Sequence, residues 1–314
     1  MKKYIRKYKL FFVLTGILAV VCIVDVLFGA FVDSYTSKHS LPGDYAKIDY
    51  LMKSADEDMI IIGSSMAINA FIPQIIEDSL NITCFNGGCN FQFLPFFQCV
   101  TENILARNKP RDIVLVLQPE ELTYNNLGRI NLLNVYYNKG NESIDYFVNV
   151  DNGQKTVFLN SNLYRYNTIG WRILLSQAKS MHDLGEKGYL PHDIPKLAPT
   201  LKDYTQTARN SNLNSFKVNN LLNIITMCEK AGTNLIVVIP PVYNLLYKDE
   251  KTVGLKALEE ICSEYNISLI NDSQSPFFLT RPDLFYDNVH LNYLGSEIYT
   301  NLFIEHLKQL AEQN

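Results

Sequence analysis

Two serines, Ser64 and Ser65, follow the run Met59-Ile-Ile-Ile-Gly63 without a break, so small hydroxyl side chains stand at the end of an apolar stretch. A serine placed there has two uses. It caps the helix that follows, or it attacks an acyl carbon once a base takes its proton and a donor set holds the oxyanion. The base in such sites is most often a histidine oriented by a carboxylate. Of the histidines, His39, His182, His192 and His306 stand in a membrane-proximal linker, a Tyr/Asn-rich stretch and the last helical segment. His290 stands apart, in FYDNVHLNYLG at 285–295, three residues after Asp287. In a tight turn that spacing lets the carboxylate reach Nδ1 while Nε2 faces outward. The same turn also reads as a helix entry capped by Asn292.

Those residues need elements that bring them together. DMIIIG (58–63), ITCFN (82–86), DIVLVL (112–117), TNLIVVI (233–239) and ISLI (267–270) are short, β-rich apolar runs and read as buried strands. Helical patterns separate them: from Pro73 to about Leu80, 91–108, 215–232, 252–266 and about 294–310. Pro73 sits at a tolerated first-turn position, and Gly232 is placed to end a helix. Strand alternating with helix is the pattern of a parallel sheet covered on both faces. Sites in such sheets lie beyond the carboxyl ends of the strands. Ser64, Ser65, Gly87, Gly88 and Gln118 all follow strand ends, and the His290 turn precedes the last helix, so they should share one rim. Residues 119–215 break the rhythm and read as a mostly helical or irregular insertion, rich in Tyr and Asn and holding Trp171. That composition suits sugar stacking and ordinary packing equally.

The chain has 314 residues, 47% of them hydrophobic, ample for one large core. Residues 1–9 carry five basic residues and no acid, which leaves 23 basic against 32 acidic residues elsewhere, a net of −9. A folded part that acidic argues against nucleic-acid binding. Residues 10–32 are apolar enough for one membrane span. The flanking basic cluster predicts a cytoplasmic N-terminus and an extracytoplasmic remainder; the length of the span argues against a cleaved signal peptide. Asp25 interrupts it. It is expected either near the outer interface, hydrated, or against a polar group of a partner membrane protein. Residues 33–57 read as a linker leading into a domain at 58–314. Six cysteines, five of them beyond the span, form no C-x-x-C pair and no disulfide framework, and most are expected in the core.

Gly63-Ser64-Ser65 after the first strand, Asn86-Gly87-Gly88 after the second, and Asp287-Asn-Val-His290 before the last helix together resemble the SGNH/GDSL hydrolase superfamily. The nearest flavour is its membrane-anchored extracytoplasmic branch, which includes D-alanyl-lipoteichoic acid transfer and alginate O-acetylation proteins. The resemblance covers about 56–120 and 215–310. It implies a three-layer α/β/α, flavodoxin-like fold with five parallel strands. It implies Ser65 as nucleophile, His290 as general base and Asp287 as orienting acid, with the backbone N–H of Ser65 and of Gly88, or less favoured Gly87, as oxyanion donors. It implies acyl transfer or hydrolysis, most simply of O-acetyl groups on a bacterial cell-surface polysaccharide, with no metal or organic cofactor. It also implies a membrane-bound O-acyltransferase partner. Two departures stand out. Ser64 replaces the Asp of the Gly-Asp-Ser form, and LVLQPEEL (115–122) lacks the Asn of the third block, leaving Gln118 as the only amide to substitute. A non-catalytic component that binds glycan or such a partner is the rival reading.

Three further groups are read as structural. Glu120-Glu121 is expected as a solvated loop pair. His182-Asp183 and His192-Asp193 lack a third ligand at useful spacing, so neither is expected to hold metal. Arg281 is expected on the surface.

Overall fold

A computed structural model describes residues 2–36, 39, 44–176, 186–205, 212–248 and 250–313. It divides into two compact units: residues 1–45 with 131–182, and residues 46–130 with 183–314. The region 119–215 is therefore shared between both units.

In chain order the principal elements begin with helix α1 (Lys2–Thr36) and α2 (Asp44–Lys53). Strand β1 (Met59–Gly63), α3 (Ser65–Ala70), α4 (Pro73–Leu80), β2 (Cys84–Asn86), α5 (Leu94–Arg107) and β3 (Asp112–Val116) follow. Next come α6 (Glu142–Asn152), α7 (Asn162–Arg165) and α8 (Asn167–Ser176). The chain closes with α9 (Ser215–Ala231), β4 (Asn234–Ile239), α10 (Val253–Glu264), β5 (Ser268–Asn271) and α11 (Tyr293–Gln313).

The larger unit is α/β. The five strands of its main sheet are all parallel, in the order β2-β1-β3-β4-β5. Register pairs Gly63 with Val116 and Val116 with Val238, so β1, β3 and β4 end level with one another. Their residues are buried on both faces, as the unbroken apolar runs require. Met59, Ile61, Val114, Val116, Ile236 and Val238 share one cluster with Phe71, Tyr299 and Phe303. Phe71 meets Tyr299 and Phe303 edge-on at centroid distances of 5.5 and 5.0 Å. Burying rings of this size stabilises by roughly 1.5–3 kcal/mol each, and it ties the segment after α3 to α11. Gly232 ends α9 at φ 73°, and Pro73 opens α4, both as expected. A second, two-stranded parallel pair joins Lys202–Asp203 to Asn244–Leu245.

Three expectations change. The stretch 33–57 is not simply a linker, because α2 lies within it and Ile48 and Leu51 are fully buried. A short helix, α3, follows β1 at once. Glu120 and Glu121 are buried, at 8% and 1% exposure. Glu121 Oε1 accepts from Lys217 Nζ at 2.9 Å and from the Leu94 N–H at 3.1 Å, and Glu120 accepts from the Thr252 hydroxyl. Polar side chains on α9 and before α10 draw the carboxylates inward, which adjacency in sequence does not reveal. Burial pushes the Glu121 carboxyl up and the Lys217 ammonium down, each held back by the other's charge.

In the smaller unit, α1 is long and apolar enough to cross a membrane. Residues 159–170 pack beside its C-terminal part. The Asp25 carboxylate accepts from the Ser161 hydroxyl (2.5 Å), the Asn162 N–H (3.1 Å), the Asn162 amide (3.2 Å) and the Leu163 N–H (2.9 Å). The polar group that Asp25 meets belongs to its own chain. Two turns later Asp33 accepts from the Tyr166 hydroxyl at 2.9 Å.

Cys84, Cys89, Cys99, Cys228 and Cys262 are buried and unbridged, and Cys22 is exposed on α1.

Candidate active site

The two serines have different surroundings. Ser64 is buried at the N-cap of α3, and its hydroxyl accepts from the Met66 N–H at 3.4 Å. Ser65 is the first helical residue and is half-buried. Its Oγ lies 2.7 Å from His290 Nε2. The sharp entry from β1 to α3 depends on Gly63, where an added Cβ would come within 2.8 Å of Ala67 Cβ and of the Val116 backbone oxygen.

His290 comes from the loop before α11. An isolated bridge between Phe285 and Leu291 closes that loop, and the Tyr286 N–H donates to the His290 carbonyl at 2.8 Å. Within it Asp287 accepts four times. Both carboxylate oxygens lie near His290 Nδ1, at 3.0 and 2.9 Å. Oδ1 also accepts from the Val289 and His290 N–H groups, at 2.8 and 2.9 Å. Burial alone would raise this carboxyl, but the hydrogen bonds from the His290 ring and the two amides outweigh it and hold it down at about 2. Asp287 stays ionised at neutral pH and fixes the Nδ1 proton, which leaves Nε2 to accept from Ser65. Asn292 also caps α11, accepting from the Leu294 and Gly295 N–H groups at 3.1 Å. One turn thus both caps α11 and holds Asp287 against His290.

Neither glycine N–H expected at the oxyanion is free. Gly87 N–H donates to the Ile61 carbonyl at 2.7 Å, and Gly88 N–H to Asn86 Oδ1 at 3.0 Å. Asn86 is fully buried, and its amide donates to the carbonyls of Ala67 and Phe71 at 2.8 and 2.9 Å. The Asn-Gly-Gly block thus braces the helix that carries Ser65. A Cβ on Gly88 would meet the Ile68 nitrogen at 2.7 Å, so the loop backbone needs glycine to approach α3. The N–H of Ser65 makes no hydrogen bond among the described residues, as the first position of a helix allows. Gln118 follows β3 at the same sheet edge and is half-buried.

His192, dismissed as a metal ligand in the sequence, belongs to this site. Its ring stacks on Tyr286 at 4.2 Å and meets the His290 ring edge-on at 5.6 Å. Burial, then the neighbouring His290, push its pKa down, which favours the neutral ring beside His290. No spacing signal in the sequence pointed to this position. Among the described residues no cluster of three or more His, Cys, Asp or Glu side chains is arranged for a metal; His182 and Asp183 lie outside the described residues. Arg281 pairs with Asp283 at 2.7 Å on the surface. A cleft lined by Met59, Asp112, Asn234 and Leu307 opens at the amino ends of the strands, the edge opposite Ser65.

Compared with known proteins, the chain matches no family model and no curated protein.

Proposed function

We propose that the larger unit is a serine acyl-transfer domain of the SGNH/GDSL type. The observation that carries this reading is the linked set Ser65 Oγ–His290 Nε2 at 2.7 Å and His290 Nδ1–Asp287 at 2.9 Å. The strand order, written 2-1-3-4-5, supports it as the order of doubly wound flavodoxin-like sheets.

In the mechanism, Ser65 Oγ attacks the carbonyl carbon of an ester while its proton passes to His290 Nε2. The C=O electron pair moves onto oxygen, where the Ser65 N–H and the Gln118 amide serve as the donors in this reading. The intermediate collapses as the ester C–O bond breaks, and His290 returns its proton to the leaving alkoxide. The acyl-Ser65 ester is then resolved by a hydroxyl of water or of a sugar, with His290 again as base. No step calls on a metal or an organic cofactor. Gln118 replacing a dedicated Asn donor favours a slow enzyme with a specialised acceptor over a vigorous esterase, since one such donor is worth about 10²–10³ in rate.

With α1 as a single span, its basic flank cytoplasmic, the domain lies outside the membrane and acts on O-acyl groups of a cell-surface polysaccharide. A membrane-bound O-acyltransferase is the donor-side partner that this resemblance suggests. The engaged glycine amides favour the second reading, a non-catalytic domain that binds glycan or that partner.

Intact-mass spectrometry of the full chain in detergent, after exposure to a fluorophosphonate, separates the two. An adduct on Ser65, abolished in Ser65→Ala and His290→Ala, is the expected result. An unlabelled, folded wild type would overturn the catalytic reading.

A further inference from the structure

We infer that residues 157–175 of the smaller unit form a collar that sits in the membrane, in the leaflet where α1 emerges. The inference rests on reading α1 as a membrane span.

The depth follows from Asp25. From Leu10 to Val24 there are 15 residues without a charge, which in a helix cover about 22 Å. A hydrocarbon core of about 30 Å needs about five residues more, so with Lys9 at one face the core ends near Gly29. Asp25 then lies about 6 Å inside it. A carboxylate at that depth needs donors, because no water supplies them. Ser161, Asn162 and Leu163 supply them. The residues holding Asp25 must share its depth. Gly170 is placed likewise, since a Cβ there would meet the Phe28 ring at 2.2 Å.

The side chains that this collar turns outward suit that position. Val157, Phe158, Leu163, Trp171 and Leu175 are exposed at 65, 56, 37, 70 and 71%. An apolar patch of this kind is costly in water. The same segment meets α1 at Asp25 and at Phe28, and α1 exposes its own apolar side chains beside them. Between Gln154 and Ser176 the charged residues are Lys155, Arg165 and Arg172, all basic. Trp and basic residues beside an apolar patch are the composition of a membrane interface, where phosphate headgroups meet the acyl chains. The occupant of the patch is therefore lipid.

Trp171 is the only tryptophan in the chain, so its fluorescence reports this collar alone. The full chain, without partner proteins, is reconstituted in phosphatidylcholine–phosphatidylglycerol vesicles. The acyl chains are brominated near the carbonyl end or near the methyl end. Trp171 is expected to lose most of its emission to bromines near the carbonyl end and less to those near the methyl end. A Phe12→Trp substitution in a Trp171→Phe background reports the span itself. Quenching at position 12 with none at Trp171 overturns the collar and leaves the span standing. Quenching at neither position removes the span, and the collar with it.

Discussion

Replacing Asp287 by Asn changes charge and hydrogen-bonding sense at nearly constant shape. In the native loop, Asp287 Oδ1 accepts from the His290 ring and from two backbone amides, while Oδ2 lies 2.9 Å from Nδ1. An amide cannot offer acceptors on both sides. His290 then no longer needs to keep its proton on Nδ1, and a proton on Nε2 faces the Ser65 hydroxyl instead of receiving its proton. The rate of Ser65 acylation should fall by about 10⁴, the size of effect seen when a triad Asp becomes Asn. Stability should change far less. The carboxyl is held at about 2 against an ordinary 3.8, a difference that would be worth about 2.5 kcal/mol without solvent. The side chain is 46% exposed, and screening reduces this to about 1 kcal/mol, or about 2–4 °C in melting temperature for a domain of this size. The carboxyl is lowered in the folded state, so its contribution is complete above the unfolded value of about 3.9 and disappears as pH falls through about 2. Fluorophosphonate labelling kinetics on the full chain, with melting curves at pH 7 and pH 3, measure both quantities. Labelling of Asp287→Asn at nearly the wild-type rate, with an unchanged fold, would show that the 2.9 Å contact does not orient the base.

Other substitutions test the frame around the site. Glu121→Ala leaves Lys217 buried without its charge partner and should cost about 3–5 kcal/mol by denaturant unfolding; the double change Glu121→Leu, Lys217→Met should recover most of that loss. Gly88→Ala forces a methyl against the Ile68 nitrogen, at 2.7 Å from the ideal Cβ, and should lower both the melting temperature and the labelling rate, because the displaced helix carries Ser65. His192→Ala removes the ring stacked on Tyr286 and should destabilise by about 1 kcal/mol. Labelling should slow by no more than about tenfold, since no hydrogen bond joins His192 to Ser65.

The parts of the fold that repeat were legible in the sequence. Each strand of the sheet is a short apolar run, and all five appear within two residues of the expected bounds, although in the edge strand β5 only Ile270 is buried. That Ser65 and the Asp287–His290 turn share one rim was legible in the strand–helix alternation, whereas grouping them as one set came from the resemblance. What escaped depends on partners distant in the chain. Glu121 looks solvent-exposed until Lys217 arrives from 96 residues away. The role of the Asn86 side chain, which occupies Gly88 N–H and clamps α3, has no counterpart in a spacing rule. His192 reaches His290 only through the path of the returning chain, and nothing in its dipeptide foretells that. Neither reading of Asp25 named the donors found in its own chain, 136 or more residues along.

The five unbridged cysteines of the larger unit bear on how the chain can be made. Burial pushes the thiols of Cys84 and Cys99 well up and those of Cys228 and Cys262 to about 12. At neutral pH none of these four exists as a thiolate, the form that exchanges with disulfides or is oxidised. These four thiols are therefore poor partners for exchange or oxidation in the folded domain. A chain delivered unfolded across a membrane would reach this structure with no oxidase and no isomerase, needing only to bury its thiols before an oxidant found them.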